Sequence, residues 1–314
     1  MGRFGFVAKR LVQVIPMLFG IVFVVFILLQ LTPGDPVRQI VGLRATQEQL
    51  DEVRAELGLD DPLLVQYGRY VGQVASGDLG YSYKSRQPVT SLIGERIVVT
   101  AWLMTAGVLL TLLISVPAAV VAATYRDRTP DQIVRGAGLL GLSMPSFWVG
   151  VMLLILVALP TGWFPAGGFG ETFGERLRSI ALPALTLAIG SSPFIVRSLR
   201  ASMISVLSSD YVATGRALGA SRTRLIRRFV LRNAAVSSVT VLALEIGFLL
   251  FGAVVIETTF ALPGMGQGLV LAARGRDLPA IQGYTLLFAV IVVAIYLLAD
   301  VATAMLDPRV EIEA

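Results

Sequence analysis

The sequence predicts an all-α polytopic membrane protein of about six transmembrane helices, with a helical outer cap and a cytoplasmic helical loop. Three observations predict it. Hydrophobic residues make up 55% of the 314 positions and charged residues only 15%, with a mean hydropathy of +0.76; a soluble domain carries about 25% charged residues. Runs of bilayer length recur along the chain. Arginine is concentrated between those runs rather than spread evenly.

A bilayer core takes about 20 apolar residues per helix. The runs are 11–31, 97–125, 136–159, 180–196, 234–256 and 283–306. Arg3, Lys9 and Arg10 precede the first, like the basic flank of a signal peptide. Its length exceeds the roughly 7–15 residues of a secretory apolar region, so a retained helix is expected. Inside lipid every backbone donor and acceptor needs a partner, which makes helices the default. An even number of spans puts both termini on one side. Segment 197–232 carries eight arginines against one acid, Asp210, whereas 32–96 carries nine acids and seven basic residues. The positive-inside bias places 197–232 and both termini in the cytoplasm. The isoelectric point near 9.8 is thus read as membrane orientation, not as nucleic-acid binding.

Pro16, Pro117, Pro145, Pro183 and Pro193 fall within the runs. Each removes a backbone donor, and neighbouring helices can re-satisfy the freed carbonyl. Ordinary curvature is the expectation for any one of them; the alternative is that Pro145 and Pro193 bend helices around a pathway.

Segment 32–96 is too long for a plain loop. Thr46 and Gln49 have capping-box spacing, with Leu50, Val53 and Leu57 on one face. Asp61 and Pro62 read as the N-cap and first position of a second helix. Leu63, Tyr67, Tyr70 and Val74 form its stripe, and Gly77-Asp78-Leu79-Gly80 closes it. Two readings stand: packing over the helix ends, or contact with a soluble donor protein.

Segment 200–232 predicts a short helix, a glycine turn and a basic amphipathic helix at the cytoplasmic surface. Ser208, Ser209 and Asp210 offer N-caps, and Gly219 is a natural residue to follow the helix end. Ser221 can cap the second helix. Its Leu225, Ile226, Phe229 and Val230 make an apolar stripe beside Arg222, Arg224, Arg227, Arg228 and Arg232. Such an element can meet lipid headgroups or dock into a partner's groove.

The run from Tyr211 through Ala213, Thr214, Gly215, Arg216, Ala217, Gly219 and Ala220 to Ser221 resembles the EAA loop of membrane subunits of ABC importers. Ala213, Thr214 and Gly215 stand at the Glu-Ala-Ala positions, and Gly219 at the family's glycine. The glutamate is absent, and Arg232 stands where a proline is usual. Three further blocks resemble the dipeptide/oligopeptide/nickel permeases in particular. They are 31–36 (Leu-Thr-Pro-Gly-Asp-Pro), then 57–62 with Gln66-Tyr67 and 77–80, then 257–266 with 276–283; the terminal Asp307-Pro308-Arg309 also fits. The resemblance covers nearly the whole chain, and it is to the subunit type with a large outer segment after the first span.

That resemblance implies a permease subunit of an ATP-driven, binding-protein-dependent importer in a bacterial cytoplasmic membrane. Its expected partners are a second homologous permease subunit, two cytoplasmic ATPase subunits, an extracytoplasmic substrate-binding protein and the lipid bilayer. Di- or oligopeptides are the implied cargo, with nickel chelates, glutathione or another small solute as alternatives. No Gly-x-x-x-x-Gly-Lys-Ser/Thr occurs in the chain, so ATP and magnesium are expected in the partner ATPases. The implied ATPase-coupling residues run from Asp210 and Tyr211 to Ser221 and Arg222. Outer-face contacts are implied at Asp35, Asp78, Pro263, Gly264, Gly266, Arg276 and Asp277.

Three membrane acids need a reading, because ionised carboxylates in lipid are costly and often functional. Glu245 lies mid-run; it is either a pathway residue for a peptide amine or a structural partner of Ser143 or Ser192. Glu257 belongs to a family block at a helix end, where a capping role is expected. Asp300 lies near the end of the last run. An enzyme is not expected. With no histidine and no cysteine there is no metal site or triad built on either, and Lys9 and Lys84 lie outside the runs. An ion-coupled secondary transporter is the rival of another class. It explains the spans and the acids but not the basic helical loop.

Overall fold

The structure is a computed structural model that describes residues 3–30, 37, 46–56, 58–82 and 84–306. Block 31–36 with Asp35, Leu57 and the terminal Asp307-Pro308-Arg309 lie outside the described residues. The described chain is almost wholly helical. Helices α1 (Arg3–Gln30), α2 (Gln47–Glu56) and α3 (Leu63–Ala75) precede a small hairpin of β1 (Tyr81–Ser82) and β2 (Gln87–Pro88). Then come α4 (Val89–Thr124), α5 (Thr129–Ser143), α6 (Ser146–Thr161), α7 (Phe173–Leu207) and α8 (Asp210–Ala217). Helix α9 starts at Arg222–Arg224, passes through a π-helical turn at Leu225–Val230 and continues as Leu231–Thr259. The last are α10 (Met265–Gly275) and α11 (Leu278–Leu306).

Among the described residues four helical stretches are long and apolar enough to cross a bilayer: Val89–Thr124, Phe173–Leu207, Ser238–Thr259 and Leu278–Ala302. Helix α1 adds the shorter apolar stretch Val12–Ile27. The expected third span, 136–159, is not one straight helix. Helices α5 and α6 meet at an angle of 98°. The cause is Pro145, which has no amide to donate and drives the residue before it out of helical conformation; Met144 accordingly sits at ψ 125°. Pro145 therefore breaks its helix outright, while Pro16, Pro117, Pro183 and Pro193 ride inside continuous ones.

Helix α7 is the spine, with α4 and α9 packed along it. Leu187 shows how closely. A Cβ on Gly107 of α4 would lie 3.3 Å from one of its methyls, and a Cβ on Gly252 of α9 would lie 3.4 Å from the other. Small residues let membrane helices approach to this range, where dispersion contacts hold them. The buried apolar side chains form three groups along the bundle. Leu103, Ile180, Leu187, Ala253 and Phe260 sit in the central one. Val89, Leu250, Met265 and Tyr284 join α4, α9, α10 and α11 at the hairpin end. Ala119, Leu199, Met203 and Val230 join Val212 of α8 at the other end.

The capping box at Thr46 is present: Thr46 N donates to Gln49 Oε1 (3.0 Å) and Gln49 N to Thr46 Oγ1 (3.4 Å). The cap of α3 differs from expectation. Pro62 holds the N-cap position without a side-chain bond, because Asp61 turns to Arg69 instead. Nor does α3 sit over helix ends. It lies along the flank of α1, where Tyr67 donates to the Phe19 carbonyl at 2.9 Å and its ring meets Phe23 edge-on.

Candidate functional site

The 210–222 loop is built by two local closures. Helix α8 ends in a Schellman motif: Ala220 N donates to Gly215 O at 3.1 Å and Gly219 N to Arg216 O at 3.0 Å. That motif needs a left-handed residue after the helix, and Gly219 has φ +78°. The chain then re-enters a helix at Ser221, whose hydroxyl accepts from Arg224 N at 3.4 Å. Ser209 occupies the N-cap of α8, but its hydroxyl bonds Val206 O rather than the new helix. The predicted order of helix, glycine turn and capped basic helix is therefore present, with one correction. The basic helix is no separate surface element. It runs through its π-turn straight into the long segment of α9.

Val212 is fully buried and is the only buried residue of α8. It seats the helix on Ala119, Leu199, Met203 and Val230. A Cβ on Gly215 would lie 3.0 Å from Leu225, so the glycine lets α8 close on the π-turn. Everything else faces out. Asp210, Tyr211, Ala213, Thr214, Arg216, Ala217 and Gly219 are exposed, as are Ser221, Arg222 and Arg224, and Leu218 is 82% exposed. Leu218 is thus an apolar side chain left open next to the turn that Gly219 makes.

The loop is braced from α5. Arg200 of α7 makes a bidentate pair with Asp131, Nε donating to Oδ1 at 2.7 Å and Nη2 to Oδ2. Asp131 is fully buried, and its Oδ2 also accepts Asp127 N at 2.9 Å. The pair ties the start of the broken helix to the helix that leads into α8. The sequence reading did not single it out. Asp131 was legible as one of few acids in an arginine-rich stretch, but nothing in the spacing pointed to Arg200.

At the other end of α9 the family block 257–266 forms a buried knot. Glu257 is fully buried; it accepts from Thr100 Oγ1 at 2.7 Å and from Gln267 N at 3.1 Å. Thr100 accepts in turn from Met265 N at 2.9 Å. Glu257 thus satisfies free amides at the start of α10, where a helix dipole also favours an anion. The expected capping role is the one the geometry gives. The glycines follow from it: a Cβ on Gly264 would lie 2.3 Å from the Glu257 carboxylate, and one on Gly266 would lie 2.5 Å from Val254 Cα.

The implied outer-face residues divide. Pro263 and Arg276 are exposed, and Asp78 is exposed with its carboxylate accepting Gly80 N. Gly264, Gly266 and Asp277 are internal, which corrects their reading as contact residues. Asp277 accepts the Ser82 hydroxyl and so ties the hairpin to the α10–α11 turn. Asp300 pairs with Arg10 at 3.2 Å, joining the end of α11 to the start of α1. Glu245 is 8% exposed, and neither serine suggested for it is its partner. Ser143 donates to Leu139 O, and the Ser192 hydroxyl has no partner among the described residues. Among the described residues no group of three His, Cys, Asp or Glu could hold a metal ion.

Residues 115–312 match the family described as binding-protein-dependent transport system inner membrane component, and residues 3–104 match its N-terminal family. A Brucella suis protein named for a peptide transport system permease is 39% identical over 307 residues, covering 97% of this chain and 98% of its own. The glutathione transport system permease protein GsiC of Escherichia coli K12 is 37% identical over 306 residues, with 98% of each chain covered. The fold resembles a chain of the inward-facing MetNI methionine ABC transporter at TM-score 0.58 and 15% identity, over 69% of this chain and 96% of that one. This chain belongs to the binding-protein-dependent transport system inner membrane component family, the permease subunits of ABC importers.

Proposed function

Starting from that membership, we propose that the chain is one permease subunit of an ATP-driven importer of di- or oligopeptides, and that residues 210–222 couple it to an ATPase. The observation that carries the coupling assignment is the exposed hairpin of α8 with Leu218 at its tip. Val212 and Gly215 fix it to the bundle, so a push on α8 passes into α4, α7 and α9 as a rigid-body displacement rather than being absorbed by a loose loop. Hinge motion of packed helices is how such a displacement opens one side of a cavity and closes the other. Its partners would be a related permease subunit, two ATPases carrying ATP and magnesium, and a binding protein on the side opposite the arginines, with both termini on the cytoplasmic face.

Peptide cargo rests on the relatives' names. The 37% identical glutathione permease favours glutathione, itself a small peptide, as the second reading. Glu245 is a candidate pathway group, since it is a carboxylate in a mid-span position with no hydrogen-bond or ion-pair partner among the described residues.

The test is reconstitution with the neighbouring gene products in proteoliposomes. ATPase activity stimulated by a peptide-loaded binding protein is the expected result. Gly219→Val should abolish uptake while the complex still assembles, because a β-branched residue cannot hold φ +78° without strain. Normal uptake by that variant would remove the coupling assignment. Uptake of glutathione but not of other peptides would select the second reading, and transport without an ATPase would replace both.

A further inference from the structure

A groove of about 540 Å³ lies between α4, α5 and α7 on the arginine-rich side. Its walls are Ile114, Ala118, Gly138, Leu142, Ile189 and Val196. Its polar groups gather at one end, where Arg135, Arg197 and Arg200 line it. Arg200 is committed to Asp131, and the other nearby acid, Asp127, pairs with Arg126. Arg135 and Arg197 are exposed and form no ion pair among the described residues; Arg135 reaches the Asp131 carboxylate only as a longer-range charge, and Arg197 stacks over Phe194, 5.9 Å from the ring centroid. Deeper in, Ser192 is 5% exposed and its hydroxyl has no partner among the described residues.

From this arrangement we propose that the groove is a binding site for one anionic phospholipid of the cytoplasmic leaflet, its phosphate held by Arg135 and Arg197 and an acyl chain lying along the apolar walls. Both arginines stand at the edge of an apolar run, Arg135 just before 136–159 and Arg197 just after 180–196. Arg197 follows the apolar run of the continuous helix α7, which places it at the depth of the headgroup layer, and Arg135 lies on α5 ahead of the 98° break, lining the same groove. Basic pockets between membrane helices on the cytoplasmic side suit anionic headgroups. The volume falls in the range of roughly 300–1,000 Å³ that small-molecule sites occupy. A peptide fits the groove less well. It would bring an ammonium that no uncommitted carboxylate awaits, and a polar backbone that the apolar walls would leave unpaired. The site reaches the transport machinery through Arg200, because the headgroup would sit beside the pair that braces α8.

The experiment is native mass spectrometry of the assembled transporter from nanodiscs of phosphatidylcholine with added phosphatidylglycerol. Each arginine near a charged headgroup contributes about fivefold in affinity. R135Q/R197Q should therefore lower phosphatidylglycerol retention by about thirtyfold relative to phosphatidylcholine. R135K/R197K should keep most of it, which separates charge from misfolding. A118F, which fills the groove, should release the lipid with both arginines intact. The proposal fails if the wild type retains the two lipids equally, or if R135Q/R197Q retains phosphatidylglycerol unchanged. It also fails if that variant keeps the lipid but loses peptide uptake, since the groove would then belong to the peptide's route.

Discussion

At the arginine-rich end, the 210–222 loop turns nearly all its side chains outward and keeps one valine in. At the other end of the same helix, the 257–277 block turns its carboxylates and glycines inward and leaves Pro263 and Arg276 outside. Both blocks carry the family resemblance, and both close a helix with the same hydrogen-bond pattern. In the inner loop the left-handed residue is Gly219. In the outer block Leu262 N donates to Glu257 O at 2.8 Å and Ala261 N to Thr258 O at 3.4 Å, with Ala261 at φ +47°. An alanine tolerates that conformation only at a cost, which the buried contacts of Phe260 and Leu262 on either side of it offset. Two motifs of one family thus serve different ends: the inner presents a surface and the outer holds helices together.

The largest effect should come from the outer block. Gly266→Leu puts side-chain atoms into the backbone of α9 at Val254, and overpacking of that kind costs about 3 kcal/mol or more. Loss of monodisperse protein in detergent is the expected outcome; a normally folded variant would mean that the knot is looser than drawn. Next is Asp131→Ala, which strands Arg200 and should cost about 3 kcal/mol. Thermal unfolding of Asp131→Ala, Arg200→Ala and the double variant would measure the pair, with the double variant less damaged than the sum of the two singles. Smaller again is the exchange of the two left-handed residues. Gly219→Ala should destabilise by about 1 kcal/mol, whereas Ala261→Gly should be neutral or stabilising by less than that. If both move stability the same way, the two closures are not equivalent. The smallest stability change is expected of Leu218→Ser, within about 0.5 kcal/mol for so exposed a position. Its effect should fall on peptide-stimulated ATPase activity; unchanged coupling would argue that the tip of the hairpin touches nothing.

Much of the inner site was readable from residue types. A glycine after a short helix, a serine before an arginine-rich stripe and apolar residues at helical spacing are local signals that produced the local structure they favour, whereas the Ser209 hydroxyl turned back to Val206 instead of capping its helix. Glu257 was readable through the family block it belongs to, which placed it at a helix end. Asp277 was not. Its polarity suggested an exposed contact, yet its partner Ser82 lies 195 positions away, and no local pattern reports a bond of that reach. The same holds for Asp131 with Arg200, 69 positions apart.

The sequence by itself determined that this chain lives in a membrane, where along it the arginines gather, and which apolar runs lie within its long helices. These follow from composition and from interactions within one helical turn, where burial and backbone pairing act on each segment alone. Only the tertiary structure decided that Pro145 folds a span back at 98°, that the outer glycines are internal, and that a groove lined at one end by arginines opens between three helices. Those outcomes depend on which helix face meets which. That is set by packing among segments far apart in the chain, where a Cβ more or less at one position decides whether two backbones can approach.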